Sequence, residues 1–374
     1  MAFQQITKRI PPTTDAEQLF IIEQDFDAEI YNNNTLSIII RFHKRERLPF
    51  LEEALFSLAI QDWHDIEPIV VLQNGTDELR EAVQEIINQQ PWQISARCRI
   101  FSVSVPEGVD GRCALLNHGI ARANGRYLAF LDDDDFVYHH GYSTLIQQLV
   151  DGERAIAIGG CRQARIQFED NHWFVRTKGT PFAWGRARLD IVRDNFVPIH
   201  SYVIDRSRIG SFDLYFDELL PPLEDYDFLL RLFSSFEPDL SKLDTPVCEY
   251  RVREDGSNSI PYNDAAPPNV VTAYKRALRS INEKKKSLCF TVSISELAEF
   301  LEHAPRCEQQ PAQPPARPPE NDRVLRTILN EIYLFFSHHP EWEARLTKIV
   351  HGLWDLYGKI KERPTVRAKV GEGI

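Results

Sequence analysis

The chain has 374 residues, of which 43% are hydrophobic and 11% aromatic, and its formal net charge is −12. This length and composition allow one large domain, or a domain with an appendage, around a sizeable core. The acidic balance argues against general nucleic-acid binding, which needs a basic surface. The six cysteines are scattered without a Cys-x-x-Cys pair, which argues against a zinc-finger spacing and a disulfide framework. There is no signal-like or membrane-spanning apolar run, so we expect a cytoplasmic protein without a transmembrane segment.

Composition divides the chain into four parts. We predict an irregular lead-in over residues 1–35, a folded domain over 36–304, a proline-rich linker over 305–322 and a helical segment over 323–374. In the last part, apolar residues at helical spacing on both sides of Pro340 predict two amphipathic helices, which cannot bury their apolar faces alone. Their polar faces are mixed rather than strongly basic, so docking or self-association into a homo-oligomer is favoured over membrane attachment.

From Leu36 onward, short apolar runs alternate with amphipathic segments. In chain order the predicted elements are strand Leu36–Phe42, helix Leu48–Gln61, strand Pro68–Gln73, helix Asp77–Asn88, strand Arg99–Val105, helix Cys113–Ala123 and strand Arg126–Leu131. This alternation predicts an α/β fold with a mostly parallel sheet covered by helices on both faces. Such sheets bind ligands at the carboxyl ends of their strands.

The alternation loosens from residue 155 onward. The elements predicted there are a strand near residues 155–161, a hairpin over Ala164–Arg176, helix Leu223–Phe236, strand Val247–Val252, and helices Val270–Ile281 and Ile294–His303. We expect variable loops over Gln163–His200 and in the region after Asn258 to build the acceptor pocket.

Four consecutive aspartates, Asp132 to Asp135, follow the strand that ends at Leu131. So many like charges at one point are unfavourable unless a cation offsets them. If the strand continues through them, Asp132 and Asp134 lie on one side and Asp133 on the other. Paired carboxylates of this kind suit Mg²⁺ or Mn²⁺, which could neutralise a bound diphosphate. A solvated turn is the alternative interpretation.

A second acidic group, Glu224 and Asp225, opens the helix predicted from Leu223. A carboxylate at a helix N-terminus is stabilised by the macrodipole and stays ionised, which fits a capping role. Beside a metal-bound diphosphate, the same carboxylate could deprotonate an acceptor hydroxyl as a general base. Asp227, further along this helix, is expected to be a solvated residue.

Four sequence blocks, in this order and spacing, resemble the inverting family 2 glycosyltransferases of the GT-A fold. The blocks are LSIIIRFHKRERLPFLEEALFSLAIQDWHDIEPIVVLQNGTDE, GRCALLNHGIARANGRYLAFLDDDD, FDELLPPLEDYDFLLRL and YRVREDGSNS, and together they span about Leu36 to Ser259. Each block alone is weak evidence, whereas four in the same order form a specific pattern. The resemblance implies a Rossmann-like GT-A domain, to which the C-terminal helical segment is appended.

The resemblance also implies roles for the acidic residues that follow the strand. Asp132 would lie near the nucleotide ribose and Asp133 would belong to the donor site. Asp134 would bind a divalent metal, Mn²⁺ or Mg²⁺, on the diphosphate, and Asp135 would help to hold the cation or anchor the loop.

Catalytic roles fall on the second acidic group by the same resemblance. Asp225 takes the position of the general base, with Glu224 beside it near the donor sugar or the acceptor. Arg112 stands where the family often has a basic residue that faces the diphosphate, although a purely structural arginine is the alternative.

Two segments depart from the family pattern. The usual Pro-Thr-Tyr-Asn after the first strand is replaced by a segment that begins with Arg41 and places a cationic cluster near the nucleotide. Gln73 and Asn74 stand where many members have two aspartates, so the aspartate that often reads uracil is missing. A UDP donor is therefore in doubt and GDP- or dTDP-sugars stay open, although Gln73 could still hydrogen-bond a base.

Several other side chains have both a functional and a structural interpretation. They are Arg251 and Arg253 (diphosphate or surface), His139 and His140 (cation or polar loop), His200 (acceptor side or core), and Trp173 and Trp184 (sugar stacking or core).

The sequence thus predicts a metal-dependent inverting glycosyltransferase that takes a nucleotide-sugar donor and a glycan, lipid-linked or other hydroxyl acceptor. By analogy its setting is surface polysaccharide or glycoconjugate assembly. A lipid-linked acceptor would require peripheral contact at the inner face of the membrane. The alternatives are a sugar-1-phosphate nucleotidyltransferase, which would need a glycine-rich loop that is absent after the first strand, and a non-catalytic subunit that binds cations or glycans.

Overall fold

A computed structural model describes residues 33–93, 96–169, 172–181, 185–210, 214–220, 222–253 and 267–302. These residues all belong to the first of two compact units, Met1–Ala304 and Pro305–Ile374. The predicted linker and C-terminal helices, and all but three residues of the predicted lead-in, lie outside the described residues.

The first half of the described chain forms a parallel sheet with intervening helices. Its elements are β1 (Leu36–Phe42), α1 (Leu48–Ala59), β2 (Ile66–Gln73), α2 (Asp77–Gln89), β3 (Arg99–Val103), α3 (Arg112–Ile120) and β4 (Tyr127–Asp132). β1 pairs in parallel with β2 and β4, and β2 pairs in parallel with β3. β1, β2 and β4 are buried along almost their whole length, as expected for strands covered on both faces.

The second half of the described chain is more irregular. Its elements are β5 (Phe136–Val137), α4 (Gly141–Asp151), β6 (Ile156–Glu169), β7 (His172–Pro181), β8 (Tyr202–Asp205), α5 (Arg206–Ile209), α6 (Glu224–Ser235), β9 (Asp239–Arg253), α7 (Pro268–Lys285) and α8 (Ile294–Glu302). β6 and β7 form the predicted hairpin, β8 is antiparallel to β4 and β6, and β9 is parallel to β6 and antiparallel to β5. The strand order is β3-β2-β1-β4-β8-β6-β9-β5, with β7 beside β6. None of the described helices is both long enough and apolar enough to span a bilayer.

Helices cover both faces of this sheet, as the sequence predicts. Alternate residues of β1 show the two layers: Ile39 packs with residues of α3, α6 and α7, whereas Ile38 and Ile40 pack with residues of α1, α2 and α4. On the first face α3 lies very close to β1. Only glycine fits at position 119 of this contact, since an added Cβ would come within 2.4 Å of Ile39 Cγ2. This close packing places the N-terminus of α3, and with it Arg112, near the carboxyl end of the sheet.

Candidate active site

Arg41 connects the two acidic groups that the sequence singles out. It lies near the end of β1, in register with Asp132 at the end of β4. Its guanidinium donates two hydrogen bonds to Asp132, Nε to Oδ1 at 2.9 Å and Nη2 to Oδ2 at 3.1 Å. The remaining nitrogen, Nη1, donates to Glu224 Oε1. One guanidinium group therefore joins two acidic segments that are distant in sequence.

The four aspartates form a turn, which we name the acidic turn (Asp132–Asp135). β4 ends at Asp132, and the backbone N–H of Asp135 donates to the Asp132 carbonyl oxygen at 3.2 Å. The expected strand-like alternation of these side chains is therefore wrong beyond Asp132, because a turn abolishes the two-residue period on which it depends.

Two further arginines offset the charge of the acidic turn. Arg47 donates to both carboxylate oxygens of Asp133 at 2.6 Å, and its Nη2 lies 3.0 Å from Asp134 Oδ2. Arg253, at the end of β9, donates to the same oxygen of Asp134 at 2.6 Å. Arg47 was not among the residues predicted from the sequence, although the basic stretch after β1 is a signal for it.

Asp135 turns into the protein and is only 2% exposed. Its Oδ1 accepts a 2.7 Å hydrogen bond from the backbone N–H of Arg251. Its Oδ2 lies 3.3 Å from Nδ1 of His200, which is close enough for an ion pair but not aligned as a hydrogen bond. Burial is the largest single effect and disfavours the charged imidazole, but the negative charges of Asp135 and Asp132 and the interaction with Cys161 together outweigh it and raise the pKa of His200 to about 10. His200 is 1% exposed, so its described surroundings are those of a core residue.

Asp225 lies in the first turn of α6. The residue before this helix, Leu223, has a φ of +64°, a left-handed conformation that is uncommon for a bulky side chain and often marks functional sites. The Asp225 carboxyl accepts hydrogen bonds from Asn195 Nδ2 at 2.9 Å and from the backbone N–H of Tyr226 at 2.8 Å. Burial, reinforced by the negative charge of Glu224, raises the pKa of Asp225 to about 7.

This raised pKa differs from the expectation that the helix macrodipole keeps Asp225 fully ionised. Desolvation and a neighbouring carboxylate outweigh the dipole, whose effect is generally below about 2 kcal/mol. A carboxyl group with this pKa can gain or lose a proton near neutral pH. The hydrogen bond from Asn195 to Asp225 could not be predicted from the sequence, since Asn195 lies in an irregular segment far from both acidic groups.

Arg112 faces Glu224 from the N-terminus of α3. Its Nη1 lies 3.6 Å from Glu224 Oε2, and its Nε donates to both oxygens of Asp110 at 3.0 Å. Arg41 on β1 and Arg112 on α3 therefore face the same buried carboxylate of Glu224. The two guanidinium groups form a small region of positive charge in a protein whose net charge is negative.

Asp227 corrects another expectation, because it is not solvated. It is 2% exposed and accepts hydrogen bonds from Arg231 Nε at 3.1 Å and from Lys284 Nζ at 2.7 Å. Lys284 belongs to α7, so Asp227 ties α6 to α7 and has a structural role.

Gln73 lies at the carboxyl end of β2, beside the loop that leads to Arg112. A Cβ added to Gly111 in that loop would come within 2.9 Å of Gln73 Oε1. The next residue, Asn74, has a φ of +49°, and its side chain exchanges hydrogen bonds of 2.8 and 2.7 Å with the backbone of Val105. Asn74 therefore shapes the loop, while Gln73 lies half-buried at its edge.

The remaining candidates fall in different places. The Arg251 side chain pairs with Glu53 and stacks over Phe136 at 4.5 Å, and both it and Arg253 are drawn inward rather than left on the surface. His139 and His140 contact Ile60 and Asp62 at the end of α1. Trp184 and the side chain of Trp173 lie outside the described residues.

The donor set around the acidic turn is compatible with a divalent cation. Within the described residues it comprises seven carboxyl and four guanidinium groups, namely Asp110, Asp132, Asp133, Asp134, Asp135, Glu224 and Asp225 with Arg41, Arg47, Arg112 and Arg253. Carboxyl groups thus outnumber the arginines, and burial together with the charge of Asp134 raises the pKa of Asp133 to about 6 and that of Asp135 above its usual value, an unfavourable situation that an added positive charge would relieve. Asp134 is the most suitable ligand, since its side chain is 17% exposed and its described contacts involve a single oxygen, Oδ2.

Comparison with known proteins agrees with this architecture. The family model for glycosyl transferase family 2 matches residues 37–205. A GalNAc(5)-diNAcBac-PP-undecaprenol beta-1,3-glucosyltransferase of Campylobacter jejuni is 32% identical over 127 residues, which are 34% of this chain and 38% of that enzyme. The glycosyltransferase EpsJ of Bacillus subtilis is 25% identical over 266 residues, 66% of this chain and 70% of the relative.

A solved structure shows the same fold at low sequence identity. S. aureus TarS 1–349 in complex with UDP-GlcNAc is similar with a TM-score of 0.50 and 18% identity, over 72% of each chain. The described strands and this likeness support the GT-A fold, and residues 37–205 are similar to the glycosyl transferase family 2 domain.

Proposed function

We propose that this protein is a metal-dependent inverting glycosyltransferase, which moves a sugar from a nucleotide-sugar donor to an acceptor hydroxyl. The observation that carries the proposal is the Arg41 bridge between Asp132 and Glu224. It joins the acidic turn, the proposed donor side, to the first turn of α6, which holds the carboxyl group suited to proton transfer.

Asp225 is the proposed general base. Its pKa of about 7 is near the optimum for a group that must accept a proton at neutral pH. Asn195 and the Tyr226 backbone hold its two oxygens, which orients the carboxyl group. As the acceptor oxygen attacks the anomeric carbon, Asp225 would take the hydroxyl proton. A single displacement of this kind inverts the anomeric centre and needs no covalent intermediate.

Asp134 is the proposed ligand of the cation, Mn²⁺ or Mg²⁺. Such a cation would supply electrostatic stabilisation for the nucleoside diphosphate leaving group. Because Asp135 is enclosed by His200 and the Arg251 backbone, we assign it to anchoring the acidic turn in preference to direct ligation. Asp133, held by both arms of Arg47, fixes the same turn on the donor side.

Arg41 and Arg112 are proposed to face the diphosphate. Both contact the buried Glu224, and a guanidinium group can bind a phosphate through two parallel hydrogen bonds. Asp132 would accept a hydrogen bond from a ribose hydroxyl while it keeps Arg41 in place. Gln73, at the adjacent strand end, would contact the base through its amide, which both donates and accepts.

The acceptor is proposed to be a glycan or a lipid-linked hydroxyl. The Campylobacter relative is named for an undecaprenol-linked substrate, but this chain spans only 38% of that enzyme. A role in surface polysaccharide or glycoconjugate assembly, on the cytoplasmic side and with peripheral membrane contact, extends this proposal by analogy.

Thermal-shift titration with UDP, GDP and dTDP, each with and without Mn²⁺, tests the donor side. We expect one nucleotide to raise the melting temperature, and to do so only with the cation present. Asp134→Ala should reduce this cation-dependent shift, whereas Asp151→Ala, at an exposed position on α4, should preserve it. No stabilisation by any of the three nucleotides, or an unchanged response in Asp134→Ala, would contradict the proposal.

A further inference from the structure

Three buried side chains with metal-ligating atoms lie together behind the acidic turn. Cys161 on β6, Cys248 on β9 and His200 just before β8 are each at most 1% exposed. Their sulfur atoms and an imidazole nitrogen all lie within 4.8 Å of one another. In sequence they are too far apart to form a recognisable ligand spacing, so only the tertiary structure reveals the group.

Sheet pairing brings the three ligands together. β6 and β9 are parallel, and their register places Cys161 directly opposite Cys248. The backbone N–H of Gly159 donates to the Ser201 carbonyl oxygen at 2.9 Å, which holds the segment containing His200 against β6. The group therefore depends on well-buried strands and not on a surface loop.

The spacing fits a tetrahedral metal site. Zinc bonds of about 2.3 Å to sulfur and about 2.0 Å to nitrogen imply a sulfur–nitrogen edge of about 3.5 Å in a tetrahedron. The observed distance from Cys161 Sγ to His200 Nε2 is 3.4 Å. The other ring nitrogen, Nδ1, faces Asp135 Oδ2 at 3.3 Å. A carboxylate behind a ligating histidine is the usual outer-shell arrangement in zinc proteins.

We propose that Cys161, His200 and Cys248 bind a thiophilic divalent cation, zinc, as its three described protein ligands. Two sulfur ligands and one imidazole select zinc over Mg²⁺ or Mn²⁺, which prefer oxygen. The site differs from the cation site at Asp134 in ligand type and in burial, and it does not rest on the proposed transfer reaction.

A metal in this position would restrain the acidic turn through the contact between His200 and Asp135. It would fix the His200 ring, and the ring faces Asp135, which in turn accepts a hydrogen bond from the Arg251 backbone. Tyr250 stacks on the His200 ring, with the ring centroids 6.1 Å apart. The expected role of the zinc is thus structural, and Asp135 acts as a positioning residue.

The first test measures metal content and ligand type in the full-length protein, purified under reducing conditions and then supplied with zinc. We expect about one equivalent of zinc by mass spectrometry, since structural sites bind tightly. Replacement of zinc by Co²⁺ should give the sulfur-to-cobalt charge-transfer absorption and the visible bands of a tetrahedral site. The charge-transfer absorption requires thiolate ligands, so a cation at Asp134 cannot produce it.

Matched cysteine variants locate the site. Cys161→Ser and Cys248→Ser should each lower the zinc content at least about tenfold, whereas Cys289→Ser, at an exposed cysteine, should retain it. If the first two variants fail to fold, the wild-type cobalt spectrum and the alkylation of its thiols decide alone. Metal-free protein in which Cys161 and Cys248 are both alkylated, or a Cys161–Cys248 disulfide under reducing purification, would overturn the inference.

Discussion

The acidic turn and the first turn of α6 meet at Arg41, yet Asp132 and Asp225 are in opposite electrostatic situations. In the acidic turn, Asp132 is half-buried but accepts two hydrogen bonds from the Arg41 guanidinium, and this positive charge lowers the pKa of the carboxyl below its usual value. In α6, burial raises the pKa of Asp225 to about 7. Among the described residues, no arginine or lysine forms an ion pair with Asp225.

This comparison shows how one site can contain carboxyl groups for two different tasks. A carboxylate that is paired with a guanidinium keeps a fixed negative charge and can position a donor or a cation. A carboxyl group that is desolvated without such a partner can exchange a proton near neutral pH. For Asp132 and Asp225 the distinction depends on the placement of Arg41, whereas at Asp133 burial prevails over the paired Arg47 and raises the pKa to about 6.

The largest expected effect is on kcat, when the proposed general base Asp225 is replaced. Asp225→Asn should lower kcat by about 10³-fold, since general-base catalysis typically contributes 10²–10⁴-fold, while nucleotide binding changes little. Steady-state transfer assays and donor calorimetry measure the two quantities. Asp227→Asn, two residues further along α6, is the matched control: it breaks two ion pairs, with Arg231 and Lys284, and should lower stability but not kcat. Undiminished turnover in Asp225→Asn would refute the assignment.

The pH profile should separate the two kinds of carboxyl group. A base with a pKa of about 7 is protonated below that value, so kcat should fall about tenfold per pH unit and reach about 1% at pH 5. The charged and titratable groups that face Asp225 are Glu224 on α6, Arg41 on β1, Asp132 on β4, Tyr202 on β8 and Tyr274 on α7. A flat profile between pH 5 and 8, with chemistry rate-limiting, would contradict this role.

Arg41→Lys tests the bridge itself. Lysine keeps the charge but cannot contact Asp132 with two parallel bonds and Glu224 with a third, so kcat/KM should fall about 10–100-fold. Arg45→Lys, a conservative change at an exposed position near the same strand end, should leave kcat/KM within about twofold. If Arg41→Lys also leaves kcat/KM within about twofold, the positive charge alone is needed and the three hydrogen bonds of the bridge are not.

The smallest expected effect concerns stability. Because the folded-state pKa of Asp225 is raised, folding binds an extra proton between about pH 4 and 7, and the protein loses stability as the pH rises through that range. Asp225→Asn removes this penalty. Its melting temperature should exceed that of the wild type by at least about 2 °C at pH 8 and match it near pH 4. A difference that does not vary with pH would argue against the raised pKa.

Local pattern predicted the parallel half of the fold well. The apolar runs of β1, β2 and β4 and the helices between them lie within a few residues of their predicted bounds. The second half was predicted less completely, since β9 runs from Asp239 to Arg253, well before its predicted start at Val247. Its early residues are mostly half-buried or exposed, so they lack the apolar signal on which strand prediction depends.

The site could be predicted only in outline. Both acidic groups were visible because carboxylates at element ends stand out in the sequence. Arg47 and Asn195 were overlooked, and Asp227 was misassigned, because their roles arise from contacts with distant segments.

By itself, the sequence determined the α/β layout, the family resemblance and the position of both acidic groups, since strand burial, helix periodicity and motif order are local properties of the chain. Only the tertiary structure decided which carboxyl group is paired, which is left to carry a proton, and that Cys161, His200 and Cys248 converge. Charge pairing and desolvation depend on groups brought together from distant segments, and no local pattern specifies them.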